Sequence, residues 1–294
     1  MKPAWSVILL TTLSGAGQGL FIALFVLVLF GVEAPRLLSA GALAAATLAG
    51  LGLVASFFHL GRWRPAWRAA SQWRTSWLSR EVIALPAFIA GALACVAFPD
   101  EPWLWAGTLI ACVALFVCTG MIYACLKFLQ EWATPLTVLN FFLLGTASGF
   151  TLAAVFARVL APGLAGIYAA SAMALTALAF CFRAATLLRN ARLQPRSTTQ
   201  SAIGIAHPKV VQRSQGFTGG SFNTREFFPG KPAPVVRAVK WSFVLLAFVL
   251  PLGLLLAGHT ALAFLVQFAG LLAERWYFFA EARHPQNLYY QSVS

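Results

Sequence analysis

Eight stretches of this chain run apolar for about the 20 residues that a helix needs to cross the hydrocarbon core of a bilayer. They fall at roughly 5–30, 38–60, 81–98, 103–126, 134–160, 164–188, 238–257 and 259–281. No soluble core of this size absorbs so many. Of 294 residues 60% are hydrophobic and 10% charged, with a mean hydropathy of +0.78. Ordinary soluble domains carry about 25% charged residues. Barrel strands are short, about 10 residues, and alternate in polarity; these runs alternate nowhere. The sequence therefore predicts an all-α integral membrane protein with eight transmembrane helices. Short polar or Pro/Gly breaks separate most of them. The run from Trp241 to Phe279 is too long for one span, so a tight hairpin is expected around Gly258, His259 and Thr260.

Four parts follow: helices 1–6 over 1–189, a polar loop over 190–236, helices 7 and 8 over 237–281, and a tail over 282–294. At the start, "SGAG" at 14–17 has the small residues of a cleavage site. The apolar run continues beyond it through "LFIALFVLVLF", which reads as an uncleaved first span. The long loop is rich in Gly, Pro and Ser, yet "GGSFNTREFF" carries aromatics and paired charges that flexible linkers lack. Docking onto a partner and a solvated connector are both open readings of it.

Charge sets the orientation. Lys and Arg total 21 against 8 acidic residues. In a soluble protein that surplus suggests nucleic acid; here the positive-inside rule explains it, and no nucleic-acid partner is expected. With eight spans, nineteen of the basic residues share a side with both termini, and Arg36 and Arg158 lie opposite. Both termini, the 61–80 loop and the 190–236 loop are thus expected in the cytoplasm. Trp103 and Trp105, beside Asp100 and Glu101, fit the aromatic belt of the other face.

Polar chemistry gathers at one place, "SFFHLGRWRPAWRAASQWRTSWLSREV". Helix 2 should end near His59 and helix 3 begin near Glu81, which puts both at one membrane depth. An ionisable residue at such a depth is costly and points to function. Histidine exchanges a proton near neutral pH. A quinone headgroup needs hydrogen-bond donors for two oxygens, a proton route, an apolar slot and an opening to lipid. His59, Arg62, Trp63, Arg64, Arg80 and Glu81 can supply these, and Gln18, mid-span in helix 1, is a further candidate. Blander roles stand beside these. His59 can be a structural hydrogen-bonding residue, Glu81 a helix cap or the partner of a loop arginine, and Gln18 an interhelical bond. Arg68 and Arg74 read as interfacial anchors or partner contacts.

Metals find little here. Cys95, Cys112, Cys118, Cys125 and Cys181 form no CxxC pair and read as small buried hydrophobes. A bis-histidine haem needs two histidines at one depth. His207 is in the loop, His284 in the tail, and His59 and His259 are expected at opposite faces, so no haem is expected in this chain.

"PAWSVILLTTLSGAGQGLF", the His-Leu-Gly at 59–61, the Ser-Arg-Glu at 79–81 and "AGLLAERWYFF" resemble the membrane anchor subunits of DMSO-reductase-type molybdoenzymes. The resemblance spans nearly all eight helices. It implies an anchor that carries no haem, exchanges electrons with a quinone, ubiquinone or menaquinone, and holds an iron-sulphur subunit and a molybdopterin catalytic subunit on a bacterial inner membrane. The family's quinol-site histidine and glutamate fall on His59 and Glu81. The loop "SQGFTGGSFNTREFFPGKPAP" and the tail "EARHPQNLYYQ" depart from the DMSO reductase anchor and resemble the branch serving cytoplasmic sulphite dehydrogenases. Phe222, Arg225, Phe227, Phe228, Tyr289 and Tyr290 are the expected docking residues. Other readings are a quinol-oxidising anchor of a DMSO- or polysulphide-type reductase, a transporter, and a membrane hydrolase or metalloenzyme. Against the transporter, no internal repeat is visible and the polar residues lie at one face. Against the last, HExxH, GxSxG and acidic metal clusters are absent.

Overall fold

The computed structural model describes residues 1–58, 66–211, 213 and 226–288. Eight of its helices are long and apolar enough to cross a membrane. We label them α1 (Trp5–Leu29), α2 (Pro35–Phe57), α3 (Trp77–Ala97), α4 (Pro102–Ala124), α5 (Pro135–Leu160), α6 (Pro162–Ala191), α7 (Ala233–Leu256) and α8 (Thr260–Glu281). Proline in the first turn opens α2, α4, α5 and α6, where its missing N–H costs nothing. The predicted hairpin between α7 and α8 is present. It turns on Gly258 at φ +79°, and Arg158 donates to the Gly258 carbonyl at 2.7 Å.

Two helix starts differ from expectation. α3 begins one turn earlier, at Trp77, because the Ser76 side chain accepts from the Ser79 N–H and caps it. α7 begins at Ala233 rather than 238, its first turn again carrying a proline. Within α7, Leu245–Val249 is π-helical, and Gln267 of α8 reaches the Ala247 carbonyl there at 3.5 Å while donating to Thr176 of α6 at 3.0 Å. Among the described residues of the loop after α6 there is a short helix, Thr199–Ile203, opened by a Thr198–Ser201 capping box.

α1 and α5 form the centre, with 67% and 72% of their apolar windows buried against 22% for α6. They cross on two Gly-x-x-x-Gly motifs, Gly15/Gly19 and Gly145/Gly149. A Cβ at Gly19 would fall 2.1 Å from the Gly145 oxygen, and one at Gly149 2.0 Å from Leu20 N. Lipid offers no hydrophobic drive between helices, so close backbone packing supplies the attraction instead. The "SGAG" of the first span is thus a packing surface. Around this pair α2, α4 and α8 pack on α1, α3 closes against α2 and α4, and α6 lies on α5.

The Met1 amine donates to the Ala282 carbonyl at 2.8 Å, and the Lys2 N–H to the Glu226 carbonyl at 2.9 Å. The first residues, the segment just after α8 and the end of the long loop therefore meet at one end of the bundle, called here the terminal end. Three assignments are corrected. Trp105 is fully buried, stacked on Phe21 at 5.2 Å, its indole N–H held by the Pro99 carbonyl at 3.0 Å. Only Trp103, 70% exposed and donating to Glu101, matches a belt residue. Cys125 and Cys181 face outward, whereas Cys95, Cys112 and Cys118 are buried.

Candidate functional site

The α2–α3 hairpin opens at the terminal end. The described chain leaves α2 at Phe58 and resumes at Ala66. His59, Arg62, Trp63 and Arg64 lie outside the described residues. Because α3 starts early, Glu81 sits a full turn inside the helix. It is 7% exposed and accepts a 2.5 Å hydrogen bond from Thr119 Oγ1 on α4. Ser76 already caps α3, so Glu81 is not the cap. Among the described residues no cation pairs with it either. Arg80, its neighbour in sequence, points the other way. Its guanidinium donates to the carbonyls of Trp73 and Arg74, both at 2.8 Å, and lies 4.2 Å from the Trp77 ring centre. Arg80 therefore fastens the loop to the first turn of α3.

Gln18 stands apart from this mouth. Its amide donates to the Cys112 carbonyl at 2.9 Å, and the Cys112 thiol donates back to the Gln18 carbonyl at 3.5 Å. Cys112 precedes Thr119 by seven residues of α4, which is about 10 Å of helix. Gln18 thus ties α1 to α4 two turns deeper than Glu81.

A second buried polar cluster was not assigned from the sequence. Arg183 of α6 and Glu274 and Arg275 of α8 are 2%, 1% and 4% exposed. Arg183 Nε lies 2.7 Å from Glu274 Oε1, and Arg275 Nη1 lies 3.2 Å from Oε2. The Arg183 Nε–H is not aimed along the first contact, which makes it an ion pair without a linear hydrogen bond. Arg183 also reaches Glu281 at 3.8 Å. The Arg275 guanidinium lies 3.7 Å over the Phe141 ring, and Arg183 5.5 Å over Phe243. Beside them Asn140 donates to Thr186 at 2.7 Å, leaving its own Oδ1 without a partner. A gap of about 10 Å³ opens between these groups, room for one water. Arg183 and Arg275, which the charge count groups with the basic side, are buried in the bundle. The available signal was an ionisable pair inside an apolar run, "LLAERWYFF".

The terminal end is finished by a latch. Phe227 stacks on His284 at 4.3 Å, Phe128 meets the same ring edge-on at 5.5 Å, and Asn287 donates to the Phe227 carbonyl at 3.0 Å. Burial holds His284 below the usual histidine range, and the charge of the N-terminal amine adds to it. Of the expected docking residues, Phe227 is thus covered by the tail and Phe228 is half-buried. Phe222, Arg225, Tyr289 and Tyr290 lie outside the described residues. Among the described residues no three His, Cys, Asp or Glu side chains converge to hold a metal ion.

Two comparisons bear on this arrangement. Residues 1–203 match the family of the DMSO reductase anchor subunit (DmsC). The whole chain is also similar to the whole of a sulfite dehydrogenase subunit from Allochromatium vinosum, 50% identical over 325 aligned residues. The eight-helix bundle, with its polar chemistry at one end, belongs to the DMSO reductase anchor subunit family, whose members are multi-pass membrane anchors of oxidoreductase complexes.

Proposed function

We propose that this chain is the quinone-reactive anchor of a sulphite-oxidising complex in a bacterial inner membrane. It holds an iron-sulphur subunit and a molybdopterin subunit at its terminal end, on the cytoplasmic side, and passes electrons from the iron-sulphur subunit to the quinone pool. The relative named for sulphite oxidation, similar over its full length, supports the substrate. The positive-inside count supports the side.

The observation that carries the reading is Glu81. A carboxylate buried at membrane depth is expensive unless its charge is answered. Here it meets one hydroxyl and no cation among the described residues. It stands one turn inside the hairpin whose other arm ends at Phe58, the residue before His59. Phe58 and Leu78 are 84% and 52% exposed, so the mouth is apolar on its lipid side. A polar group facing inward and an apolar flank facing lipid suit a headgroup with an isoprenoid tail. When bound, a quinone supplies an acceptor for two electrons and two protons. His59 is assigned the hydrogen bond to one headgroup oxygen and a proton exchange. Glu81, oriented by Thr119, is the second polar wall. Arg62, Trp63 and Arg64 are assigned to the same site from the sequence. Arg80 and Gln18 hold the scaffold, since their donors are engaged within the chain.

The test is His59→Ala in the assembled complex. Sulphite oxidation with a soluble artificial acceptor should persist, while quinone-linked turnover falls by roughly 10²–10⁴. Wild-type quinone turnover and affinity in that variant would place the site elsewhere.

A further inference from the structure

We propose that the stretch 66–76, which leads into α3, is a binding site for an anionic phospholipid headgroup. Between the end of α2 and Glu81 the sequence has five arginines and no acidic residue. The two arginines described in the loop and the one in the first turn of α3 each lie over the indole of a neighbouring tryptophan: Arg68 on Trp67 at 5.6 Å, Arg74 on Trp73 at 5.3 Å, Arg80 on Trp77 at 4.2 Å. Arg80 spends its donors on the carbonyls of Trp73 and Arg74 and so fixes the loop's shape. Arg68 and Arg74 are exposed and have no acidic partner among the described residues. Each is left with its charge open to an anion from outside the chain.

The apolar neighbours identify the source. Trp67 and Trp73 are 71% and 52% exposed, and the loop is flanked by outward-facing Phe57, Phe58 and Leu78 at the ends of two spans. Rings at the edge of the hydrocarbon with guanidinium groups above them match the level of lipid headgroups. A guanidinium presents paired N–H donors to the oxygens of a phosphodiester.

The site stands independently of the quinone reading, and its test reads lipid rather than turnover. The intact complex is placed in nanodiscs of equal phosphatidylglycerol and phosphatidylcholine, extracted gently, and its retained lipid measured by mass spectrometry. Phosphatidylglycerol should be enriched, and higher ionic strength should erode that enrichment. Each arginine facing an anionic surface accounts for about fivefold. Arg68→Gln with Arg74→Gln should therefore lower the enrichment about 30-fold, while Arg68→Lys with Arg74→Lys keeps most of it. No preference in the wild type, or one that resists salt, would overturn the proposal without any variant. So would a preference that survives the glutamine pair. Release of the soluble subunits by the glutamine pair with lipid retention unchanged would make the loop a protein-docking surface instead.

Discussion

Replacing Glu274 by Ala should strip two buried arginines of the carboxylate they share. In the native arrangement Oε1 lies 2.7 Å from Arg183 Nε and Oε2 3.2 Å from Arg275 Nη1. One such pair is worth about 4 kcal/mol at 4 Å and an effective dielectric of about 20. The desolvation of both cations remains after the carboxylate has gone, so breaking a buried pair costs about 3–5 kcal/mol. The two arginines are not affected equally. Arg183 keeps Glu281 at 3.8 Å, whereas among the described residues Arg275 keeps no carboxylate and has the face of Phe141 at 3.7 Å. Arg275 is therefore the stranded charge. Glu274→Ala with Arg275→Met should recover part of the loss, and Glu274→Gln, which retains an acceptor oxygen, should lose less than Glu274→Ala. The assay is the temperature at which half of the detergent-solubilised protein leaves its monodisperse peak. The fall expected for Glu274→Ala is on the order of 10 °C. An unchanged midpoint, or a double variant worse than the single, would refute the view that this carboxylate neutralises two interior cations.

Two further outcomes are expected. Gly149→Leu should prevent accumulation of folded protein, because even its Cβ would fall 2.0 Å from the backbone of α1, while Gly163→Ala, with nothing within 4 Å, should accumulate normally; expression-level blots separate the two. The latch at His284 should loosen on acidification. Its pKa is depressed in the folded chain, so the unfolded or undocked tail binds more protons, and the docked form is favoured above the ordinary histidine pKa and lost as pH falls through the lowered one. Limited proteolysis of the tail should be slow at neutral pH and faster in acid, and Phe227→Ser should make it fast at both.

Hydropathy is a local property, so the eight spans and the Gly258 turn could be read one segment at a time. Helix face is not local, and the misreadings follow from it. Trp103 and Trp105 are two residues apart, about 200° around α4, so one faces outward and the other packs on Phe21. The same blindness hid the Arg183–Glu274–Arg275 cluster. Counting Lys and Arg by loop assigns each to a surface, and only the packing of α6 on α5 and α8 shows which of them turn inward. The start of α3 was misplaced because its apolar run begins after Glu81, whereas the cap that sets its first turn, Ser76, lies in the polar stretch before it. Glu81 stands out in the sequence as a carboxylate beside an apolar run wherever the helix begins, and the structure adds that it is buried.

The two buried carboxylates of the terminal end are physically opposite, and the contrast decides which one faces outside chemistry. Glu274 is enclosed by two arginines from α6 and α8, and its charge is answered within the bundle. Removing either side of that arrangement weakens the packing of those helices, so its work is done by holding them. Glu81 has a hydroxyl from α4 and no cation among the described residues. Thr119 fixes its direction without neutralising it. A chain that can bring two arginines to one carboxylate evidently has the means to neutralise the other, since Arg80 is the adjacent residue. Instead Arg80 is turned away to the carbonyls of Trp73 and Arg74. A ligand bound beside Glu81 could use this unpaired carboxyl, which Thr119 holds in place near the mouth of the α2–α3 hairpin.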